Sequence, residues 1–505
     1  MISRTLFRLT PLAFSLALSG CAIGPDYLSP ANLLPAVFSE AKPADNIAVA
    51  SNPTINPTWW TLFNDATLND LVDQALTGNA SLRQAIARVE QADAVAREAG
   101  ASFFPQIDGS AGISNTKAST KTATYVATQP RIRHARSAGL STSFELDVWG
   151  RVRRANEAAR ATLLASQYSR DAIRLSVAGL VTDTYLALRA YDAQRVVSDE
   201  TVKTREEGLK LVKTRVEAGL ASPLEGFQAE GALAAAQAQL AEQRRLRQLA
   251  EHQLALLTGN PALKIAAGDL KQLPLLPEPP AGLPSDLIEG RPDVRQAEQE
   301  LIAANAGIGV AKAGYFPKFT LTGSLGSESK TLSDLFSAGS NTWSLGLGAL
   351  MPILDFGRTS ARVDQAKALN QQSLIAWQNS LQTAYKEVRD ALVSLREYGI
   401  EENAQNTRVD NAEKAMRIAR LRYEAGHVGY LEVLDAQRTL NEAQLAAIDW
   451  TNPRRCTSRC RTSCRARRGT CSPAFRPTRT TSRIFAGAPQ RRVIEKNGRF
   501  HGHFC

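Results

Sequence analysis

Thiols are the side chains of this 505-residue chain best placed to do chemistry, and their positions divide them into two unrelated sets. Cys21 stands alone in the first 450 residues, whereas Cys456, Cys460, Cys464, Cys471 and Cys505 crowd the end. The Cys-x3-Cys-x3-Cys series could be completed as a metal site by His501 or His503, but its spacing is not a standard zinc spacing, and five thiols risk mispairing in an oxidising compartment. Little else suggests catalysis. His134, His252 and His427 are scattered, no Gly-rich phosphate loop follows a strand, and the carboxylates lie mostly on helix faces, so neither an enzyme nor a bound cofactor is expected. Asp435 and Arg438, following Leu431 at helical spacing, read as an exposed i,i+3 pair worth a few tenths of a kcal/mol.

The context of Cys21 gives its thiol a task. Arg4 and Arg8 precede an apolar stretch from Leu9 to Leu18, too short for a mature membrane helix, so residues 1–20 read as a signal peptide. The segment ends in Leu18-Ser19-Gly20-Cys21, which resembles the bacterial lipobox. That resemblance implies acylation of the thiol and cleavage that leaves Cys21 as the first mature residue. Ala22, instead of Asp, in the second mature position implies passage to the outer membrane. Acyl chains anchor at about 0.8 kcal/mol per buried methylene. The formal charge of +11 suggests a nucleic-acid partner until it is located. Residues 451–505 hold 14 Lys and Arg against one acid, Glu495, so the preceding body is at −2 and gives no basic surface for nucleic acid.

The elements that position these residues come from an internal repeat. Arg83-Gln84-Ala85 and Phe103-Phe104-Pro105 recur 212 positions on as Arg295-Gln296-Ala297 and Tyr315-Phe316-Pro317. Gly150-Arg151 and Arg215-Val216-Glu217-Ala218-Gly219 recur 207 positions on as Gly357-Arg358 and Arg422-Tyr423-Glu424-Ala425-Gly426. Ordered blocks of this kind mean a tandem duplication. Each repeat opens with a helical segment (68–102 in the first) and an aromatic-Pro break. Period-two runs follow: Ile107, Gly109, Ala111, Ile113 and Leu140, Thr142, Phe144, Leu146, Val148, then Phe319, Leu321, Gly323, Leu325 and Trp343, Leu345, Leu347, Ala349. These predict four strands per chain in two hairpins.

Proline-free segments then predict long helices over 151–217 and 358–424, each roughly 100 Å long. Val177, Val181, Tyr185 and Leu188 mark a buried stripe on the first. Helices 68–102 and 222–258, laid end to end, supply a partner of equal length. At the turn between helices, Gly219 suits a left-handed C′ position, Ser222 an N-cap, Pro223 the first helical position and Glu225 a capping box. The organisation is therefore signal peptide 1–20, lipidated N-terminal segment 21–66, first repeat 67–265, Pro-rich linker 266–284, second repeat 285–450 and an aberrant basic tail 451–505.

Four strands cannot close a barrel, and an open sheet in lipid leaves backbone groups unpaired, so copies must associate. Here the chain resembles a known family. The lipobox, Cys21-Ala22-Ile23-Gly24-Pro25-Asp26-Tyr27, Trp59-Trp60, the Phe-Pro breaks, Leu354-Asp355-Phe356-Gly357-Arg358, the two Arg-x-Glu-Ala-Gly turns and Leu434-Asp435-Ala436-Gln437-Arg438 look like the TolC-like outer-membrane factors, in their NodT-type lipoprotein branch. The resemblance covers about residues 10–450. It implies a mixed α and β fold, in which a homotrimer forms a twelve-stranded β-barrel continued by a periplasmic α-helical barrel. It also implies an equatorial region built from the termini and the 260–290 linker, and partnership with a periplasmic adaptor, an inner-membrane pump and outer-membrane lipid in small-molecule efflux. Arg215, Gly219, Arg422 and Gly426 then mark the periplasmic tip, and Leu431, Asp435 and Arg438 the gate. A type I protein-secretion duct and a lipid-anchored periplasmic coiled-coil scaffold are the alternatives.

The tail breaks the pattern. The first-repeat helix ends near Gly259, so its counterpart should stay helical to about residue 465, yet the helical pattern stops at Asp449. Thirteen arginines and the thiol series follow, as GC-rich DNA yields when read out of frame. Loss of roughly fifteen helical residues, or about 22 Å, would bare apolar faces of neighbouring helices and weaken assembly.

Overall fold

Two helical stretches of 67 residues are the longest elements, and the other described elements lie along them or at their ends. The computed structural model describes residues 22–31, 34–35, 58–123, 126–270 and 286–457; Cys21 and the tail beyond Thr457 lie outside the described residues. A 3-10 turn (Trp59–Phe63) leads to α1 (Ala66–Gly78), α2 (Ala80–Ala101), β1 (Gln106–Lys117), β2 (Ile132–Leu146), the long α3 (Arg151–Glu217) and α4 (Pro223–Thr258). The order recurs as α5 (Asp286–Glu289), α6 (Pro292–Ala313), β3 (Lys318–Ser329), β4 (Asn341–Leu350), the long α7 (Arg358–Glu424) and α8 (Tyr430–Thr457). The two repeat offsets hold in three dimensions. Gln106 pairs with Ser143 and Lys318 with Leu350, so β1 maps onto β3 by 212 and β2 onto β4 by 207. The hairpins absorb the difference.

Both long helices begin and end on polar devices. The Asp147 carboxylate accepts from the Val152 and Arg153 amides at the start of α3, and Asp355 accepts from Gly357 and Thr359 at the start of α7. At the far ends Gly219 (φ 73°) and Gly426 (φ 78°) take the left-handed conformation. Leu220 N–H donates to the Arg215 carbonyl and Gly219 N–H to Val216, with His427 to Arg422 and Gly426 to Tyr423 in the second repeat. These are Schellman closures, which satisfy the last carbonyls of each helix.

α2 and α4 lie along α3, and α6 and α8 along α7; α6 packs on α3 as well, so it is held between the two long helices. The main core surrounds the middle of α3. Val177, Val181, Tyr185 and Leu188 are buried as their spacing predicts, against Trp59, Trp60, Phe63, Leu68 and Val72 on one side and Leu254, Leu257, Ile265 and Leu270 on the other.

Two expectations need correction. Residues 68–102 are not one helix: the chain breaks at Asn79, whose side chain caps α2 by accepting from Ser81 and Leu82 and donates to the Leu257 carbonyl. The break lies at a close approach of α4: a Cβ on Gly78 would lie 2.3 Å from the Thr258 carbonyl oxygen, so this position requires glycine. The last helix also outruns its apolar pattern, with helical backbone continuing past Asp449 to Thr457.

The four strands form one antiparallel sheet in the order β1-β2-β3-β4. β2 pairs with β3, so the sheet joins the two repeats and leaves β1 and β4 as edges. No described helix is long and apolar enough to cross a membrane.

Candidate functional site

The sheet has two chemically distinct faces. Cross-strand rungs on one run Gly109, Leu140, Leu325, Trp343; Ile107, Thr142, Gly323, Leu345; and Phe144, Leu321, Leu347. On the other they run Asp108, Ser141, Ser324, Ser344; Gln106, Ser143, Thr322, Gly346; and Ser110, Gly139, Gly326, Thr342. The large apolar residues of the first face are exposed, among them Ile107, Leu140, Leu325, Trp343, Leu345 and Leu347. Exposed apolar residues in a continuous band mark contact with something apolar. The strands are 12, 15, 12 and 10 residues long, each long enough for a tilted membrane span of about 9–11 residues. One greasy face and one hydroxyl-rich face is the division that a barrel wall between lipid and water requires.

The N-terminal segment is pegged where strands become helices. Ile23 N–H donates to the Trp149 carbonyl at 3.0 Å, Asp26 accepts from buried Arg154 at 2.5 Å, and Asn305 donates to the Pro25 carbonyl at 3.0 Å. Ala22 lies against Gly150, where a Cβ would meet its Cα at 2.8 Å. Residue 22 therefore sits at the base of the sheet.

At the opposite end the two turns lie side by side. Arg215 stacks its guanidinium over the Tyr423 ring at 4.7 Å, and Tyr423 packs on Tyr430 at 5.4 Å, with Val212, Ala229 and Val433 completing the cluster. Burial raises the pKa of both phenols above the usual range. Arg422 is exposed and pairs with Glu432 at 2.9 Å. Leu220, Leu224 and Phe227 are exposed around Gly219, an apolar tip surface.

Leu431, Asp435, Arg438 and Glu442 form an exposed stripe on α8. Arg438 donates to Asp435 at 2.8 Å and lies 4.0 Å from Glu442, so within one chain the pair is a surface ion pair. The opposite side of α8 is tied to α3 and α4 through Arg205 to Gln437 and through Asn441 to Thr201 and Gln239.

A buried ionic network escaped the reading of carboxylates as helix-face residues. Asp192 accepts from Arg247 at 2.8 Å, Arg189 at 3.3 Å and the Gly268 amide at 3.2 Å. Arg189 and Arg247 donate to the Ala266 and Ile265 carbonyls, and Glu251 accepts from the Ile265 amide. Arg189 also donates to the Tyr185 hydroxyl, which donates to Asp65 at 2.5 Å; burial and the Asp65 carboxylate push this phenol up to about 12. The network straps residues 265–268 across α3 and α4. Nothing local distinguishes these charges from solvated ones.

Comparison with known proteins fits this geometry. A family model for outer membrane efflux proteins matches residues 71–260 and 283–457. The cation efflux system protein CusC of Escherichia coli K12 is 32% identical over 449 residues, covering 88% of this chain and 95% of its own. A crystal structure of CusC superposes with a TM-score of 0.78 at 30% identity, over 87% of this chain and 98% of that one. The solvent efflux pump outer membrane protein SrpC of Pseudomonas putida is 35% identical over 446 residues, covering 87% of this chain and 93% of its own. Nodulation protein T of Rhizobium leguminosarum biovar trifolii is 34% identical over 445 residues, covering 86% and 92%.

Proposed function

The chain belongs to the outer membrane efflux protein family and is an outer-membrane efflux channel, and from that premise we propose that three copies form one tunnel for small molecules, fed by an inner-membrane pump through a periplasmic adaptor. The observation that carries this reading is the two-faced, four-stranded sheet with both edges open. Three such sheets make twelve strands, which removes every edge and encloses a water-filled lumen lined by Ser, Thr and Gly. The long helices continue the wall into the periplasm. Transport needs no bond-making step, so the chain works without catalysis and carries no cofactor other than lipid.

Cys21 is the lipid attachment residue; the placement of Ala22 at the base of the sheet supports it, since an acyl chain on the preceding residue starts at the membrane surface. Arg215, Gly219, Arg422 and Gly426 form the tip that meets the adaptor, a reading supported by the bare Leu220, Leu224 and Phe227. Leu431, Asp435 and Arg438 line the gate. Threefold symmetry turns their exposed stripe into rings, where a carboxylate ring narrows the pore and binds cations. The relatives' cargoes, cations for CusC and solvents for SrpC, favour small molecules over proteins. Selectivity then lies with the pump.

Planar-bilayer recording tests the tunnel and its gate together. The purified protein should give discrete, cation-preferring channels, and Asp435→Ala with Arg438→Ala should raise single-channel conductance several-fold and weaken block by divalent cations. Unchanged conductance and block would remove the gate role, and absence of channels from membrane-inserted protein would remove the tunnel.

A further inference from the structure

Within one chain the two repeats meet at a junction that is fully described, and the chain's outer edges carry both halves of a second such junction. At the described one, β2 pairs with β3, with Ser143 opposite Thr322, Leu140 opposite Leu325 and Leu146 opposite Phe319. Beyond the strand ends Trp149 stacks on Phe316 with ring centroids 4.7 Å apart, and its Nε1–H donates to the Pro317 carbonyl at 2.8 Å. The offsets established by the hairpin pairings carry β2 onto β4 and β3 onto β1. They also carry Trp149 onto Phe356 and Phe316 onto Phe104. These counterparts cannot meet inside the chain, because β1 and β4 are opposite edges of its sheet.

Their state matches that of a junction missing its other half. Phe356 is 91% exposed, Phe104 74% and Ile353 96%, whereas Phe316, already covered by Trp149, is 37% exposed. Phe356 also holds φ at 51°, the left-handed region that a bulky side chain adopts only under constraint. Its ring lies open among the described residues. β4 ends at Leu350, although its counterpart β2 stays paired through Leu146, the position that maps to Ile353. Among the described residues, 351–353 have no strand beside them.

We propose that β4 of one copy pairs antiparallel with β1 of the next in the register that sets Leu347 opposite Ile113, Leu350 opposite Ser110 and Ile353 opposite Ile107, and that Phe356 of the first copy stacks on Phe104 of the second. The proposal rests on the trimeric reading above and fixes its interface. The faces agree with this register, as the pairings within the chain require. This register aligns Leu347, Met351 and Ile353 with Ile113, Gly109 and Ile107, so the apolar face continues from one copy to the next over these rungs, while Leu345 and Trp343 fall opposite Asn115 and Lys117 toward the loop end of the hairpins. On the other face Ser344 and Gly346 meet Thr116 and Ser114. A one-residue slip in either direction would set Ile353 against Asp108 or Gln106 and Met351 against Ser110 or Asp108.

Paired cysteines test the register in the full-length chain, with the five cysteines from Cys456 onward changed to serine and Cys21 retained. Directly opposite side chains have Cβ atoms about 4.5–5.5 Å apart, and diagonal neighbours about 7–8 Å. Under copper-phenanthroline oxidation in outer membranes, Ile113→Cys with Leu347→Cys should link copies at least roughly tenfold more than Ile113→Cys with Leu345→Cys or with Ala349→Cys, read on the oligomeric fraction. A stronger link from either control pair, or none from any pair in a protein whose native mass is a trimer, overturns the register and leaves the trimer standing. A monomeric native mass overturns both. The aromatic contact has its own readout. Phe356→Ala and Phe104→Ala should each lower the temperature at which the oligomer dissociates in detergent, and the double variant should fall little further, because one contact is lost only once. Additive losses would show that the rings do not touch.

Discussion

Removing Asp192 should release the strap over the middle of the molecule. The side chain is 2% exposed, and its carboxylate accepts from Arg247, Arg189 and the Gly268 amide. Asp192→Ala leaves two largely buried guanidinium groups without that partner and one amide without its acceptor. Breaking a buried pair by deleting one member costs about 3–5 kcal/mol, most of it the uncompensated charge left behind. The nearest escape is local: residues 263–270 detach, Arg189 and Arg247 gain water, and the long helices stay intact. At about 1.4 kcal/mol per factor of ten, even the lower bound corresponds to about two orders of magnitude in the opening equilibrium. Hydrogen exchange read by mass spectrometry on a peptide covering 263–270 should therefore show protection falling about a hundredfold, while peptides from the middle of α7 do not change. Asp192→Asn keeps an acceptor but loses the charge, and should fall between. Asp435→Ala removes an exposed partner and should change stability by less than about 1 kcal/mol. If exchange over 263–270 in Asp192→Ala matches the unmodified protein, the network is not what holds the strap.

Glu387 should give the packing of α6 on α7 a pH dependence. Burial raises its pKa despite the Arg291 guanidinium at 2.7 Å, so between the unfolded value of about 4.3 and the higher folded value the native state holds the extra proton. Stability should fall as pH rises through that window, and Glu387→Gln should flatten the slope in thermal melts at a series of pH values; an unchanged slope would refute the assignment. Cys21→Ser should abolish metabolic labelling by palmitate while the strands still insert, and an unlabelled parent protein would rule out lipidation. Photo-crosslinkers beside Gly219 or Gly426 should capture a periplasmic adaptor, and their failure in cells with an active pump would count against the tip role. Resequencing the gene should find an insertion or deletion near codon 450; a confirmed frame together with a stable, export-competent trimer would show that the basic tail is genuine.

What the sequence determined by itself is what short-range rules govern. Both 67-residue helices run where uninterrupted pattern, Gly150 and Gly219, or Gly357 and Gly426, place them, because caps and left-handed glycines act within one turn. The four strands were legible from period-two alternation, and the repeat offsets located each element twice. The turns at Gly219 and Gly426 followed from the glycines that close them. Tertiary structure decided the rest, and in each case the partners are distant along the chain. The break at Asn79 lies where Gly78 meets Thr258, and α6 is gripped by both long helices beside the β2–β3 pairing that crosses the repeat boundary. Asp192, Arg189 and Arg247 look like solvated helix charges until residues 265–268 close over them. The exposed stripe on α8 and the bare rings of Phe104 and Phe356 are likewise set by what each helix or strand already touches. Burial is a property of the assembled neighbourhood, and no local pattern of charges or aromatics encodes which neighbour arrives.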